Sequence, residues 1–389
     1  MNLDRRAFLA SASAFTVLSS LPVRAEVPGI FEDRILFGQS AAFEGPARAL
    51  GRGMRLGIRT AFAEINAKGG VAGRRLELVS YDDGYEPEKA IANTEKLIGE
   101  DKVFALVGEV GTPTSKAVVP VAMEAGVPFI APFTGAEFLR DPFKRGVINV
   151  RASYFQETET LVERFTRDLG FDRIAVFYQD DSYGRAGREG VRRALEKRGL
   201  AIVGEGTYER NTTNVKRGLL AIRKSKPQAV IMIGAYKPCA AFIALAKKIG
   251  LDARYANVSF VGTSALAGEL GAAGEGVIIS QVVPFPWDNS VPLVKSYRAA
   301  LEAHAPDAEP GFVSLEGYMA GRLVIMALER ITGEPGREKL LDAIYGTGDF
   351  DLGGITLGYG EGDSQGMDLV FLTVLDGRGG VNPVETLAS

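Results

Sequence analysis

The segment Gly111-Thr112-Pro113-Thr114-Ser115 holds the residue types in this chain best placed to bind a solute. It puts hydroxyls beside a first-turn proline where a helix-period run begins. Backbone N–H groups, the positive end of a helix and hydroxyl side chains then converge, a donor set that holds a carboxylate. The same pattern makes a plain helix cap with Thr112 as the capping hydroxyl, and the two readings are compatible. The glycine spacing before Lys116 is not that of a phosphate-binding loop. Gly51-Arg52-Gly53-Met54-Arg55-Leu56-Gly57 lacks dinucleotide-loop spacing and lies inside a helix-period run, so its glycines read as helix-packing residues. The pairs Asp82-Asp83 and Asp180-Asp181 stand at predicted strand ends, where acid/base work and ordinary loop turns are both open. Tyr183 and Tyr236 place phenols at similar positions, either for a ligand or for half-buried packing.

Two counts narrow the chemistry further. His304 is the only histidine, in the polar stretch Glu302-Ala303-His304-Ala305-Pro306, and Cys239 is the only cysteine. A serine triad would have to use His304, a Cys/His zinc site lacks ligands, and no intrachain disulfide can form. No metal and no cofactor is expected. Across 389 residues, 46% are hydrophobic and 24% charged, a globular balance long enough for two domains. The net charge of −3 comes without a basic run that would suit nucleic acid.

The elements that must position these loops alternate strand and helix. Ile35 to Gly38 reads as a strand, and Leu50, Met54, Ile58, Phe62 and Ile65 fall on one face of a helix over 47–67. Strands follow at Leu76 to Val79, Phe104 to Val107 and Pro128 to Ala131, with helices from Pro87 and Thr112 between them. The pattern restarts after Arg151, with strands near Ile174, Ile202, Val230 and Val277 separated by helices. Later helices are predicted over 293–304 and 313–331, and a late strand over 369–374. This predicts an α/β fold of two doubly wound parallel-sheet lobes joined by a hinge. The predicted segments are 26–151 and 286–347 for the first lobe, and 152–285 and 348–389 for the second, with crossings near Arg151, near Pro284-Phe285-Pro286 and over Gly346 to Asp349. Ligands in such sheets sit beyond the carboxyl ends of the strands, which makes Gln39, Phe43 and Glu109 possible pocket walls. Phe133, Phe285 and Trp287 offer further apolar surface.

Residues 1–25 read as an export signal of twin-arginine type. Arg5 and Arg6 precede a modest apolar run broken by serines and a threonine, and Val23-Arg24-Ala25 provides a cleavage site before Glu26. The expected location is the periplasm.

The mature chain resembles the type I periplasmic binding proteins of branched-chain amino acid ABC transporters. The resemblance is carried by Ile65-Asn66-Ala67-Lys68-Gly69-Gly70-Val71-Ala72-Gly73, Tyr81-Asp82-Asp83 with Pro87, Val107-Gly108, Ala131-Pro132, Tyr183-Gly184 and Phe260-Val261-Gly262. It implies a non-enzymatic, monomeric protein that closes its lobes on a small carboxylate or amino-acid-like solute, aromatic bodies included, and delivers it to an inner-membrane permease. It also implies ligand contacts at Gly111, Thr112, Phe133, Thr134, Gly135, Tyr183 and Tyr236. The family's ammonium-pairing acid aligns with Ser264, a family hydroxyl with Gly135 (beside Thr134), and a family tyrosine with Leu50. A serine cannot neutralise a buried ammonium, so either Glu109 takes that part or the ligand lacks an amino group. A sensor subunit presenting its ligand to a receptor, and an exported hydrolase on the same fold, are the alternative functions.

Overall fold

The computed structural model describes residues 27–388. The expected export signal therefore lies outside the described residues. The first lobe opens with β1 (Arg34–Ala41), α1 (Arg48–Asn66), β2 (Arg75–Asp82), α2 (Pro87–Gly99), β3 (Ala105–Val107), α3 (Thr112–Glu124), β4 (Phe129–Ile130) and β5 (Val147–Ile148). These strands form one parallel sheet in the order β2-β1-β3-β4-β5. The chain then crosses, and α4 (Tyr154–Leu169) begins the second lobe. Its start is fixed by a capping box, in which Ser153 and Gln156 satisfy each other's backbone N–H groups. Then follow β6 (Ile174–Gln179), α5 (Ser182–Glu196), β7 (Glu205–Tyr208), α6 (Lys216–Lys224), β8 (Ala229–Ile233), α7 (Tyr236–Lys248), β9 (Arg254–Asn257), α8 (Thr263–Leu270) and β10 (Ile278–Gln281).

The chain returns to the first lobe with α9 (Pro292–His304), α10 (Phe312–Glu329) and α11 (Arg337–Thr347), and continues into the hairpin β11 (Asp349–Asp351) and β12 (Thr356–Gly358). It ends with β13 (Phe371–Leu375) and β14 (Val381–Val384). The second sheet has the order β14-β13-β10-β9-β8-β6-β7, parallel except that β13 and β14 join antiparallel. Two parallel-sheet cores covered by helices on both faces are thus present, as the alternation of periods requires.

The third predicted crossing is misplaced. Phe350, Leu352, Ile355, Leu357 and Tyr359 bury in the apolar core of the first lobe, and Asn149, next to β5, bridges Gln365. The return to the second lobe therefore comes just before β13, some twenty residues later than the Gly346 to Asp349 expectation. The cause is apolar burial. The hairpin's alternating side chains complete a core that α10 and α11 leave open.

The glycines of α1 act in packing. A Cβ on Gly57 would sit 1.9 Å from the Ser314 carbonyl oxygen of α10, and one on Gly317 would sit 2.3 Å from that of Met54. The two helices approach too closely for any other residue at those points.

Candidate functional site

The strand ends and helix starts of both lobes face each other across a cleft that is closed in this structure. Phe43, Leu50, Tyr85 and Phe133 of the first lobe and Tyr154, Tyr183, Tyr236 and Phe260 of the second belong to one continuous buried cluster. Phe260 is its centre, with ring centroids 4.5 Å from Tyr183, 5.4 Å from Phe133 and 6.0 Å from Tyr85. The Arg151 guanidinium lies 5.0 Å from the centroid of Phe133.

Gly111, Thr112, Phe133, Thr134 and Gly135 come together on the first-lobe side. Thr112 does not cap α3. The N-cap is Gly111, at φ 110°, a conformation that a β-branched threonine would strain to adopt, and no side chain caps this end. The Thr112 hydroxyl is thereby released toward Thr134, 2.6 Å away, and Thr134 donates to the Tyr154 hydroxyl at 3.2 Å. Thr114 instead donates back to the Val110 carbonyl at 2.6 Å. Gly135 is required by closeness, since its Cβ would meet the Tyr154 nitrogen at 2.7 Å. The result is a buried row of neutral hydroxyls, Thr112–Thr134–Tyr154, beside the unpaired N–H groups of a helix start.

On the second-lobe side, Asp181 caps α5 by accepting from the N–H groups of Tyr183 and Gly184. The cap aims Tyr183 into the cluster. Its ring is 5.4 Å from that of Tyr154, and its hydroxyl has no partner. Burial, with the Tyr154 and Tyr208 phenols nearby, holds the Tyr183 phenol well above the usual range. It is a neutral donor awaiting an acceptor, not a base. Tyr236 starts α7, is buried, and has its phenol raised above the usual range chiefly by that burial.

Next to this cluster opens an interlobe crevice of about 180 Å³. Leu50 and Gly53 of α1, Ser264 at the start of α8, and Glu309 and Phe312 before and within α10 form its walls. Ser264 is exposed there, while its neighbour Thr263 is buried and accepts from Gln281 at 2.8 Å. Phe312 also meets the rings of Phe285 and Trp287, at 6.0 and 5.8 Å, which places those two behind the crevice wall.

Two expected pocket walls are turned elsewhere. Gln39 donates to the Gly108 carbonyl at 2.7 Å and accepts from Ser80. Glu109 is buried with neither carboxylate oxygen partnered, and neither residue lines the crevice. The substitute role expected of Glu109 therefore has no support from its position. Burial first, then the nearby Asp83, pushes the Glu109 carboxyl well above its ordinary range. Asp83 is raised to about 7, mainly by its own burial. Phe43 is buried at the rim, with the Arg55 guanidinium 3.9 Å above its ring.

Tyr85, Tyr154, Phe260 and Phe312 join the site without being among the contacts expected from the sequence. Each had a signal: Tyr85 follows the Asp82-Asp83 turn, Tyr154 is the first residue after the Ser153 cap, Phe260 opens the motif ending in Gly262, and Phe312 directly precedes the helix predicted over 313–331.

A family profile described as periplasmic binding protein matches residues 35–380. The leucine-, isoleucine-, valine-, threonine-, and alanine-binding protein of Pseudomonas aeruginosa is 26% identical over 86% of this chain and 88% of its own length. Among solved structures, a possible leucine/isoleucine/valine-binding protein from Rhodopirellula baltica is 37% identical with a TM-score of 0.88, covering 93% of this chain and 99% of that one. A substrate-binding periplasmic protein from Ralstonia solanacearum is 28% identical with a TM-score of 0.85, covering 90% of this chain and 99% of that one. With two parallel-sheet lobes closed on an aromatic, hydroxyl-lined cleft, the chain belongs to the periplasmic binding protein family, and its relatives include proteins named for binding leucine, isoleucine and valine.

Proposed function

We propose that this protein is the solute-binding component of an ABC importer, exported to the periplasm, and that it closes as a monomer on a small carboxylate with an apolar or aromatic body. The observation that carries the reading is the buried hydroxyl row Thr112–Thr134–Tyr154 at the open start of α3, facing the unpartnered Tyr183 hydroxyl. Helix-start N–H groups and neutral hydroxyls satisfy a carboxylate without a counter-cation. The rings of Phe133, Tyr183 and Phe260 and the crevice by Leu50 and Phe312 suit an apolar body. On the correspondence that the resemblance implies, Ser264, Gly135 and Leu50 replace an ammonium-pairing acid, a hydroxyl and a tyrosine of the family, so leucine, isoleucine and valine are expected to bind weakly. An ammonium enclosed without an acid loses several kcal/mol.

Calorimetry with leucine, isoleucine, valine, phenylacetate, benzoate and hexanoate tests this. The expected result is measurable binding of at least one carboxylate that lacks an amino group, weakened by Thr112→Val by about tenfold, the loss of one hydrogen bond to a charged group. Leucine binding at micromolar or tighter would replace the reading with an amino-acid one, with Glu309 on the crevice wall as the ammonium acceptor.

A further inference from the structure

The cleft is sealed along one edge by polar contacts that lie outside the ligand-facing cluster. Arg210, in the loop after β7 of the second lobe, donates to Glu86 of the first lobe at 2.7 Å and to Asp181 of its own lobe at 3.3 Å. Asn211 donates to the Gly84 carbonyl at 3.0 Å and to Glu86 at 2.7 Å. Both loops hold left-handed backbone at this point, with φ 56° at Gly84, 65° at Tyr85 and 61° at Asn211. Non-glycine residues in that region are costly unless their surroundings hold them, and such strain collects at clamps. Each end of the ion chain also leads into the binding cluster. Glu86 follows Tyr85, whose ring faces Phe260. Asp181 caps the helix that presents Tyr183.

We infer that Arg210 is a positioning residue that clamps the lobes shut. It bridges the loop carrying Tyr85 to the helix start carrying Tyr183, so those two phenols are set in place only when the lobes meet. The side chains of Glu86, Arg210 and Asp181 remain 38%, 23% and 13% exposed. A partly wet ion chain of this kind is weak enough to open and is weakened further by salt. The clamp rests on the two-lobe closure proposed above.

Spin labels on Lys89→Cys in α2 and Lys216→Cys in α6 report the distance between the lobes. Both positions are exposed, and the native Cys239 is buried and will not compete. At about 0.05 M salt the parent protein should show a mainly short separation, and at about 0.5 M a growing long one. Arg210→Ala should shift the closed-to-open ratio by about three- to tenfold at low salt and remove most of the salt response. Glu86→Gln reads the same contact from the other lobe should Arg210→Ala fold poorly. Arg210→Lys, which keeps the charge, should retain part of the response. If the parent opens but these variants match it at every salt concentration, the clamp is overturned and the hinge stands. A single distance in the parent under all conditions, with and without the carboxylate and amino-acid panel, overturns the hinge and the clamp together.

Discussion

Asp83 and Glu109 sit buried beneath the cleft-facing loops of the first lobe, each raised chiefly by its burial, and the Asp83 charge raises Glu109 further. Asp83 accepts from the Ser40 hydroxyl at 2.9 Å and from the Tyr85 N–H at 2.7 Å, whereas Glu109 has neither oxygen satisfied. Unfolded, these groups titrate at their ordinary 3.8 and 4.5; folded, Asp83 moves to about 7 and Glu109 well above 4.5. The folded state therefore binds their protons more tightly. This contribution to stability is complete below about pH 4 and is lost as pH rises through the window toward 7 and beyond. Glu109→Gln keeps the shape without the ionisation. We expect it to raise the melting temperature at pH 8 by about 2–4 °C, on the scale of one kcal/mol in a large domain, with the gain vanishing near pH 4. Calorimetric melting at both pH values checks this, and an equal effect at both would show that the carboxyl's charge is not the cause.

At the scale of elements, legibility followed local pattern strength. The face set by Leu50, Met54, Ile58 and Phe62 gave α1 within a residue of its bounds, and the Thr112-Pro113 pair located the start of α3. The two-residue strands β4 and β5 owe their state to parallel neighbours, and β5 has no period of its own. Arg337–Thr347 has no side-chain cap at its start, and the hairpin after it looks like the opening of the next lobe until its apolar residues are seen in the first core. The site divides likewise. Thr112 and Tyr183 were legible because glycine, proline and aspartate mark their turns. Phe260 and Tyr85 were not, because a single loop aromatic acquires meaning only when the opposite lobe is set against it. The contact between α1 and α10 offers a direct test of such dependence. Gly57→Ala drives a methyl to 1.9 Å from a backbone oxygen. It should cost about 1–3 kcal/mol by overpacking, even though alanine favours helix, and urea titration would show it. A neutral or stabilising result would mean that the helices separate freely.

For the whole molecule, Arg151 is the joint. It stands where the chain first leaves the first lobe, fully buried, 3.0 Å from Glu157 of the second lobe and 3.5 Å from Glu316 of the first, and it also reaches the Ser259 hydroxyl. Glu157 in turn accepts from the Ser259 N–H at 2.7 Å and the Ser280 hydroxyl at 2.6 Å. Glu316 is raised to about 7 by burial, held back by Arg151 and pushed further by Glu157. Arg151 is the guanidinium in direct contact with these two acids from opposite lobes, and the partly buried Arg140 adds a weaker charge effect nearby. Glu86 and Arg210 face each other across the cleft edge and must part when it opens, whereas Arg151 lies on a connecting segment and can keep both partners. In the closure proposed above, Arg151 would be the pivot and Arg210 the latch. Arg151→Met strands two carboxyls in the core and should lower stability to urea by about 3–5 kcal/mol, the usual cost of breaking a buried pair from one side. Adding Glu157→Gln and Glu316→Gln to the same chain removes the stranded charges and should recover a large part of that loss. If Arg151→Met alone is near neutral, the lobes are joined by apolar packing and the ion hub is not their pivot. If the triple variant recovers nothing, the cost lies in lost hydrogen bonds to Ser259 and Ser280, not in uncompensated charge.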